Sequence, residues 1–263
     1  MSTEDPEIFR KDAGEAPAGY TAWEASGLLW LEEAEEGGGA RVVRVHDVQT
    51  GHLDLERLSP VPPTNFQADA FGAALAATHA AGAPAFGSPP ARWTTHGFLG
   101  PSIRPLPLPL QETATWGEFY GEQRVLHTYR LGRNQGTFDT DGDRTLFEAV
   151  AARLATGEHD TDDAPARLHG DLWAGNVMWT RSGGVLVDPA AHGGHREGDL
   201  AMLMLFRGPH VARIVAAYDE AAPLADGWQE RVPLHQLHPV MLHAVLFGGG
   251  YVEQARSIAR RYV

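Results

Sequence analysis

The run His169-Gly170-Asp171-Leu172-Trp173-Ala174-Gly175-Asn176 is followed, twelve residues after Asn176, by Asp188 in Val185-Leu186-Val187-Asp188-Pro189. The pieces Asn176 to Thr180 and Gly184 to Asp188 are short and rich in apolar residues, and Arg181-Ser182-Gly183-Gly184 joins them. Together they read as a hairpin, with Ala166 to Asp171 as a further β-rich piece before it. An Asp on the lead-in loop, an Asn opening one strand and an Asp closing the return strand can converge on one point. Asp and Asn are common turn residues, and any one of them alone would be read as that. Three oxygen-bearing side chains in this strand–hairpin–strand setting carry more. Phosphoryl transfer from ATP needs a carboxylate to deprotonate an acceptor hydroxyl, and an amide with a second carboxylate to hold Mg²⁺. Asp171 is the expected base, and Asn176 and Asp188 are the expected metal ligands.

Around this hairpin the pattern is helical. Helices are expected over Phe66 to Ala81, Thr115 to Leu131, Asp143 to Ala155, Asp199 to Phe206, Val211 to Ala222, Pro233 to Phe247 and from Tyr251 onward. Thr115 and Glu118 have capping-box spacing, and Pro233 suits a first helical turn. The Pro- and Gly-rich stretch Gly82 to Pro109 is too long for a simple linker and is expected to cover a functional site. Before residue 59 the pattern differs. A helix is expected over Thr21 to Glu36, with Thr21 and Glu24 as a capping box and Trp23, Leu28 and Leu31 on its apolar side. After it, Arg41 to Val48 and His52 to Leu58 suit an antiparallel pair. Ser59-Pro60-Val61-Pro62-Pro63 cannot continue a helix or a central strand and marks a boundary. The expectation is an α+β fold with a small N-terminal lobe over residues 1–58 and a mainly helical lobe over 59–263.

A phosphate-binding cation is also needed, usually a strand lysine held by a helix carboxylate. Lys11 is the only lysine of the chain, and Glu24 lies thirteen residues on. Taken alone they would be a solvated lysine and a capping residue; beside the Asp171 motif they are expected to pair. Composition narrows the partners. The chain has 263 residues, 43% hydrophobic, with 21 Lys and Arg against 34 Asp and Glu and a formal net charge of −13, so polyanions are repelled and nucleic acid is not an expected partner. There are no cysteines, which excludes disulfides and thiolate chemistry and suits a reducing, cytoplasmic setting. No stretch approaches the roughly 20 apolar residues that span a bilayer. The acidic start, Met1 to Asp12, lacks the features of a signal peptide, so no membrane association is expected. His192 and His195, or His235, His238 and His243, lack an H-E-x-x-H pattern and an obvious carboxylate in register, which argues against zinc.

The runs HGDLWAGNVMW (169–179), VLVDPAAHGGHREGDLAMLMLF (185–206) and LHQLHPVMLHAVLFGGGY (234–251) resemble the fructosamine kinases, also called ketosamine kinases, whose fold is that of aminoglycoside phosphotransferases and protein kinases. FRK (9–11) is similar to the family's strand lysine, LDLERL (53–58) to its hinge, and WGEFYGEQRV (116–125) to its W-x-E-F-Y helix. The resemblance implies a two-lobed protein-kinase-like fold with a reduced N-lobe, and ATP- and Mg²⁺-dependent phosphorylation of a sugar hydroxyl on a small sugar–amine adduct or glycated amine. It implies that Lys11 contacts the nucleotide phosphates, that Glu24 orients Lys11, and that backbone groups of Glu56 and Leu58 hold adenine. Trp173 would stack on the sugar, unless it is a buried structural tryptophan, and His243 would line the acceptor pocket. His169 and Asp199 would support the catalytic loop, Asp199 also suiting a helix's first turn. Only ten residues precede Lys11, without a glycine, so the glycine-rich hairpin of kinases is expected to be missing or replaced by Asp12 to Gly19. That departure leaves two alternatives, an aminoglycoside- or amino-alcohol-type phosphotransferase and a catalytically silent nucleotide-binding protein. Oligomeric state is not legible.

Overall fold

A computed structural model describes residues 7–263; the part of the N-terminal reading that falls on residues 1–6 lies outside the described residues. Strand β1 (Ile8–Asp12) carries Lys11. The chain then turns through residues 13–19 into helix α1 (Tyr20–Glu32), which starts after Gly19 at φ 89° with no side-chain cap. The expected Thr21–Glu24 capping box does not form. Thr21 lies inside the helix and donates to the Gln49 carbonyl (2.7 Å), and Glu24 is drawn to Lys11. The apolar side is as expected, with Trp23, Leu28 and Leu31 buried. A 3₁₀ turn (Glu33–Gly37) closes the helix earlier than expected.

The run from Arg41 divides between two sheets. Strand β2 (Arg41–Val42) leaves the N-terminal sheet, while β3 (Val45–Val48) and β4 (His52–Glu56) form the expected antiparallel pair. With β1 they make a sheet of order β1-β4-β3, in which Lys11 faces Leu53. Leu53 and Leu55 turn into the core, and Asp54, on the opposite face, accepts two bonds from Arg10 at 2.7 Å.

Helix α2 (Asn65–Ala80) opens on a Thr64–Gln67 capping box. The Gly82 to Pro109 stretch holds a hairpin of β5 (Gly97–Leu99) and β6 (Leu106–Leu108) that the sequence reading did not foresee. Leu106 and Leu108 are buried around an exposed Pro107, so the strand alternation was present but masked by its prolines. The expected helix from Thr115 is three consecutive pieces, α3 (Trp116–Phe119), a π-helical turn (Tyr120–Leu126) and α4 (His127–Asn134), with Thr115 as cap. Helix α5 (Asp141–Leu154) follows.

Strand β7 (Ala166–Leu168) pairs with β10 (His192–Gly194), and between them β8 (Val177–Thr180) and β9 (Gly183–Leu186) form the expected hairpin. β2 adds to β9 in parallel, with Arg41 opposite Val185. Helices α6 (Glu197–Leu205), α7 (Val211–Ala221), α8 (Trp228–Phe247) and α9 (Gly250–Ala259) complete the chain. Pro233 is not in the first turn of α8, which begins at Trp228 after Gly227; Pro233 and Pro239 both lie inside the helix.

Among the described residues two large apolar cores form, beside a smaller cluster of Trp23, Leu108 and Ala190. One joins α1, β4, α2, the β8–β9 hairpin and α7 through Leu28, Leu53, Leu75, Val185 and Tyr218. The other joins the α3–α4 segment, α5, α8 and α9 through Phe119, Phe138, Phe147, Leu237 and Met241. Among the described residues no helix is long and apolar enough to cross a membrane.

Candidate active site

The loop after β7 is fixed from beneath. At Gly170 the backbone has φ 81°, and a Cβ there would sit 2.1 Å from the Ala190 carbonyl oxygen, so only glycine fits. Asp199, in the first turn of α6, accepts the N–H groups of His169 (2.7 Å) and Gly170 (3.0 Å), and its Oδ2 lies 3.1 Å from His79 Nε2. Burial pushes the Asp199 carboxyl up, but the hydrogen bonds outweigh it and hold the group below its ordinary value. The buried His169 ring accepts the Asp171 N–H at Nδ1 (3.2 Å) and donates from Nε2 to the Val187 carbonyl (2.9 Å). That pattern needs the neutral imidazole, which burial favours.

A 3₁₀ turn (Ala174–Asn176) then carries Asn176 back over the loop. Its Nδ2 donates to the Asp171 carbonyl (2.8 Å), with Asp171 Oδ2 at 3.2 Å and the Asp188 carbonyl at 3.3 Å, which leaves Oδ1 as its acceptor. Asp188 has φ 55°, a strained conformation for a residue other than glycine, just after β9. Its half-exposed carboxylate accepts from Lys11 Nζ at 2.8 Å, and Lys11 bonds both oxygens of Glu24 at 2.9 and 2.8 Å. Burial would lower the Lys11 pKa, but the carboxylates of Glu24 and Asp188 outweigh it and raise it, so the ammonium persists. Burial pushes the Asp171 carboxyl up to about 7, the bond from Asn176 opposes this, and the charges of Asp188 and Asp199 add to it. Lys11, Glu24, Asp171, Asn176 and Asp188 thus gather at one cavity of about 650 Å³.

Trp173 lines that cavity with its side chain exposed, so it is not a buried structural tryptophan. Its ring lies over Gly175 and meets Phe206 edge-on at 6.3 Å. His243 also lines the cavity, donating from Nδ1 to the Pro239 carbonyl (2.7 Å) among the rings of Phe206, Phe247 and Tyr251. Glu56 and Leu58 are not part of this lining. The Glu56 side chain pairs with Arg41, its N–H donates to Arg44 O (2.9 Å), and Leu58 packs against the first core. Lining residues that sequence reasoning missed as such include Tyr20, Trp23, Phe98, Tyr120 and Arg124. In the sequence Trp23 reads only as part of an apolar helix side. It donates to the Phe98 carbonyl at 2.8 Å, which ties α1 to the β5–β6 hairpin covering the cavity.

The histidine reading needs one correction. A carboxylate does accompany His195 and His235: Glu197 places an oxygen within 4.8 Å of a nitrogen on each ring. That carboxylate is already bonded by Arg231 at 3.0 and 2.5 Å. Burial would push the Glu197 carboxyl up, but the His235 ring 3.2 Å away and the bonds from Arg231 hold it at about 2. Its folded pKa is below the ordinary 4.5, so the stability it contributes is full above about pH 4.5 and is lost as pH falls toward 2. Glu197→Gln should therefore destabilise the protein at pH 7 by on the order of 3 kcal/mol. The gap to wild type should close between about pH 4.5 and 2, as read by thermal unfolding at a series of pH values.

With this geometry described, known proteins give a consistent comparison. The profile of the family described as fructosamine kinase matches residues 3–263. A Thermus thermophilus protein named "probable ketoamine kinase" is 34% identical over 243 residues, 92% of this chain and 82% of that protein. The crystal structure of a Thermobifida fusca protein described as a "putative fructosamine-3-kinase" superposes with a TM-score of 0.85 at 44% identity, covering 96% of this chain and 84% of that one. The aminoglycoside phosphotransferase of a gentamicin complex shares the fold alone, with a TM-score of 0.61 at 12% identity over 97% of this chain and 83% of that one. The chain spans 60% and 55% of the length of the curated relatives from Synechocystis and Vibrio parahaemolyticus. A profile match over nearly all 263 residues, on a two-lobed α+β phosphotransferase fold, places the chain in the fructosamine kinase family.

Proposed function

We propose that the chain transfers the terminal phosphoryl group of ATP to a sugar hydroxyl of a ketosamine, a small-molecule sugar–amine adduct. The observation that carries this reading is the meeting of Asp171, Asn176, Asp188 and the Lys11–Glu24 pair at the wall of one cavity. In it, Asp171 takes the proton of the attacking hydroxyl. A carboxyl pushed up to about 7 is a base matched to neutral pH, and Asn176 fixes its orientation. Lys11, steered by Glu24, presents its ammonium to the phosphates.

The donor set suits a hard divalent cation: Asn176 has its Oδ1 free of the bonds made by Nδ2, and the Asp188 carboxylate is half-exposed beside it. These two residues would hold Mg²⁺, which when bound supplies positive charge against the phosphates. Trp173 gives the sugar an exposed indole face, and His243 borders the acceptor side. Adenine contact through the backbone of Glu56 and Leu58, and a lobe boundary at residues 58 and 59, rest on the kinase resemblance and the proline-rich crossing. The aminoglycoside alternative is less well supported, because those neighbours share only 10–15% identity.

The test is ADP release from ATP and Mg²⁺ with and without fructosyl-lysine. Acceptor-dependent ADP release is expected. Nucleotide binding without turnover of any amine-linked sugar would instead assign the chain to silent nucleotide binding.

A further inference from the structure

The WGEFYGEQRV segment takes no part in phosphate or metal chemistry, yet it buries a charge. Arg124 lies in the π-helical turn between α3 and α4, lines the cavity and is only 2% exposed. Its Nη1 donates to the carbonyls of Pro109 (3.0 Å) and Gln123 (3.2 Å), and its guanidinium sits 4.4 Å from the Phe119 ring centre. Its Nη2 has no hydrogen-bond partner. Other well-covered arginines are treated differently: Arg167, Arg196, Arg231 and Arg256 pair with Glu33, Asp163, Glu197 and Asp143. Arg124 has no carboxylate partner among the described residues, although the chain carries a net charge of −13.

The titratable groups around it are Tyr120, His127, His192 and His238, and burial together with this cation keeps the imidazoles neutral. Burial pulls the Arg124 pKa down to about 9, so it is still charged at neutral pH. A buried cation without a counter-ion, and with one nitrogen unbonded, is costly. The contact with Phe119 and two carbonyls offsets part of that cost and cannot supply the missing negative charge. π-helical turns recur at functional sites, and this one turns both Gln123 and Arg124 inward.

We propose that Arg124 seats a carboxylate carried by the amine half of the acceptor, so that the protein prefers sugar adducts of amino acids to adducts of uncharged amines. Asp171 and Arg124 line the same cavity, whose 650 Å³ is ample for a sugar joined to an amino acid. A single guanidinium above Phe119, beside the apolar Leu108, suits one negative charge. Only the identity of the acceptor as a ketosamine rests on the function proposed above; the seat for an anion does not.

The experiment measures binding by calorimetry, without nucleotide, of fructosyl-glycine and its carboxamide to the wild type, Arg124→Met and Arg124→Lys, with ADP release followed in parallel. The wild type should bind the carboxylate about 10-fold or more tightly than the amide. Arg124→Met should bring that ratio close to one, and Arg124→Lys should keep part of it. A wild-type ratio near one overturns the proposal without recourse to any variant, and so does an undiminished ratio in Arg124→Met. Turnover of both acceptors without preference removes the carboxylate seat and leaves the kinase. Selective, Arg124-dependent binding with no ADP release keeps the seat and removes the kinase.

Discussion

Asp171→Asn is expected to lower turnover of a ketosamine acceptor by on the order of 10³-fold while leaving nucleotide affinity nearly unchanged. The substitution keeps the shape of the side chain and an oxygen for the Asn176 amide, 3.2 Å away, so the loop has little reason to move. It removes the proposed acceptor of the hydroxyl proton, and general-base contributions of about 10² to 10⁴ set the scale. Single-turnover kinetics with a parallel nucleotide titration check it. Equal losses in turnover and in ATP binding would mean that Asp171 holds the site together and does not act on the acceptor.

The second large effect is on stability. Asp199→Ala strips the acceptor from two backbone N–H groups, those of His169 and Gly170, and leaves buried His79 facing the void. Each orphaned buried donor costs about 1–3 kcal/mol, and the two N–H groups and the His79 ring all lose their acceptor, so a loss of about 3–5 kcal/mol is expected. For a chain of this size that lowers Tm by on the order of 10 °C. Activity should fall further than the folded fraction does, because the same two N–H groups set the loop that aims Asp171. Thermal unfolding, with activity measured well below Tm, separates the two effects. Asp199→Asn, which keeps one acceptor oxygen, should fall between Asp199→Ala and wild type.

What could be read from the sequence follows from how locally each feature is encoded. Asp171, Asn176 and Asp188 lie within eighteen residues joined by a tight hairpin, so the strand period fixes their approach. Lys11 and Glu24 were legible for a related reason, one strand and one helix in sequence. The cavity's cover was not: in β6 the alternation of Leu106 and Leu108 is interrupted by prolines that normally signal its absence. The π-helical turn also left no trace, because its apolar residues satisfy an ordinary helical period while Gln123 and Arg124 both turn inward. Glu197 was passed over as a partner for His195 and His235 because His235 arrives from α8, nearly forty residues later. The start of α1 was misplaced because Thr21 and Glu24 fit a local cap, whereas both bond to residues distant in sequence.

The two-residue strand β2 follows α1 in sequence and is bonded to β9, and the Val43 N–H continues the contact to the Leu186 carbonyl at 3.0 Å, two residues before Asp188. The scaffold of the lysine–glutamate pair is thereby bolted beside the strand that delivers the aspartate. Lys11 and Asp188 are therefore tied twice, by their own 2.8 Å contact and by the backbone seam between β2 and β9.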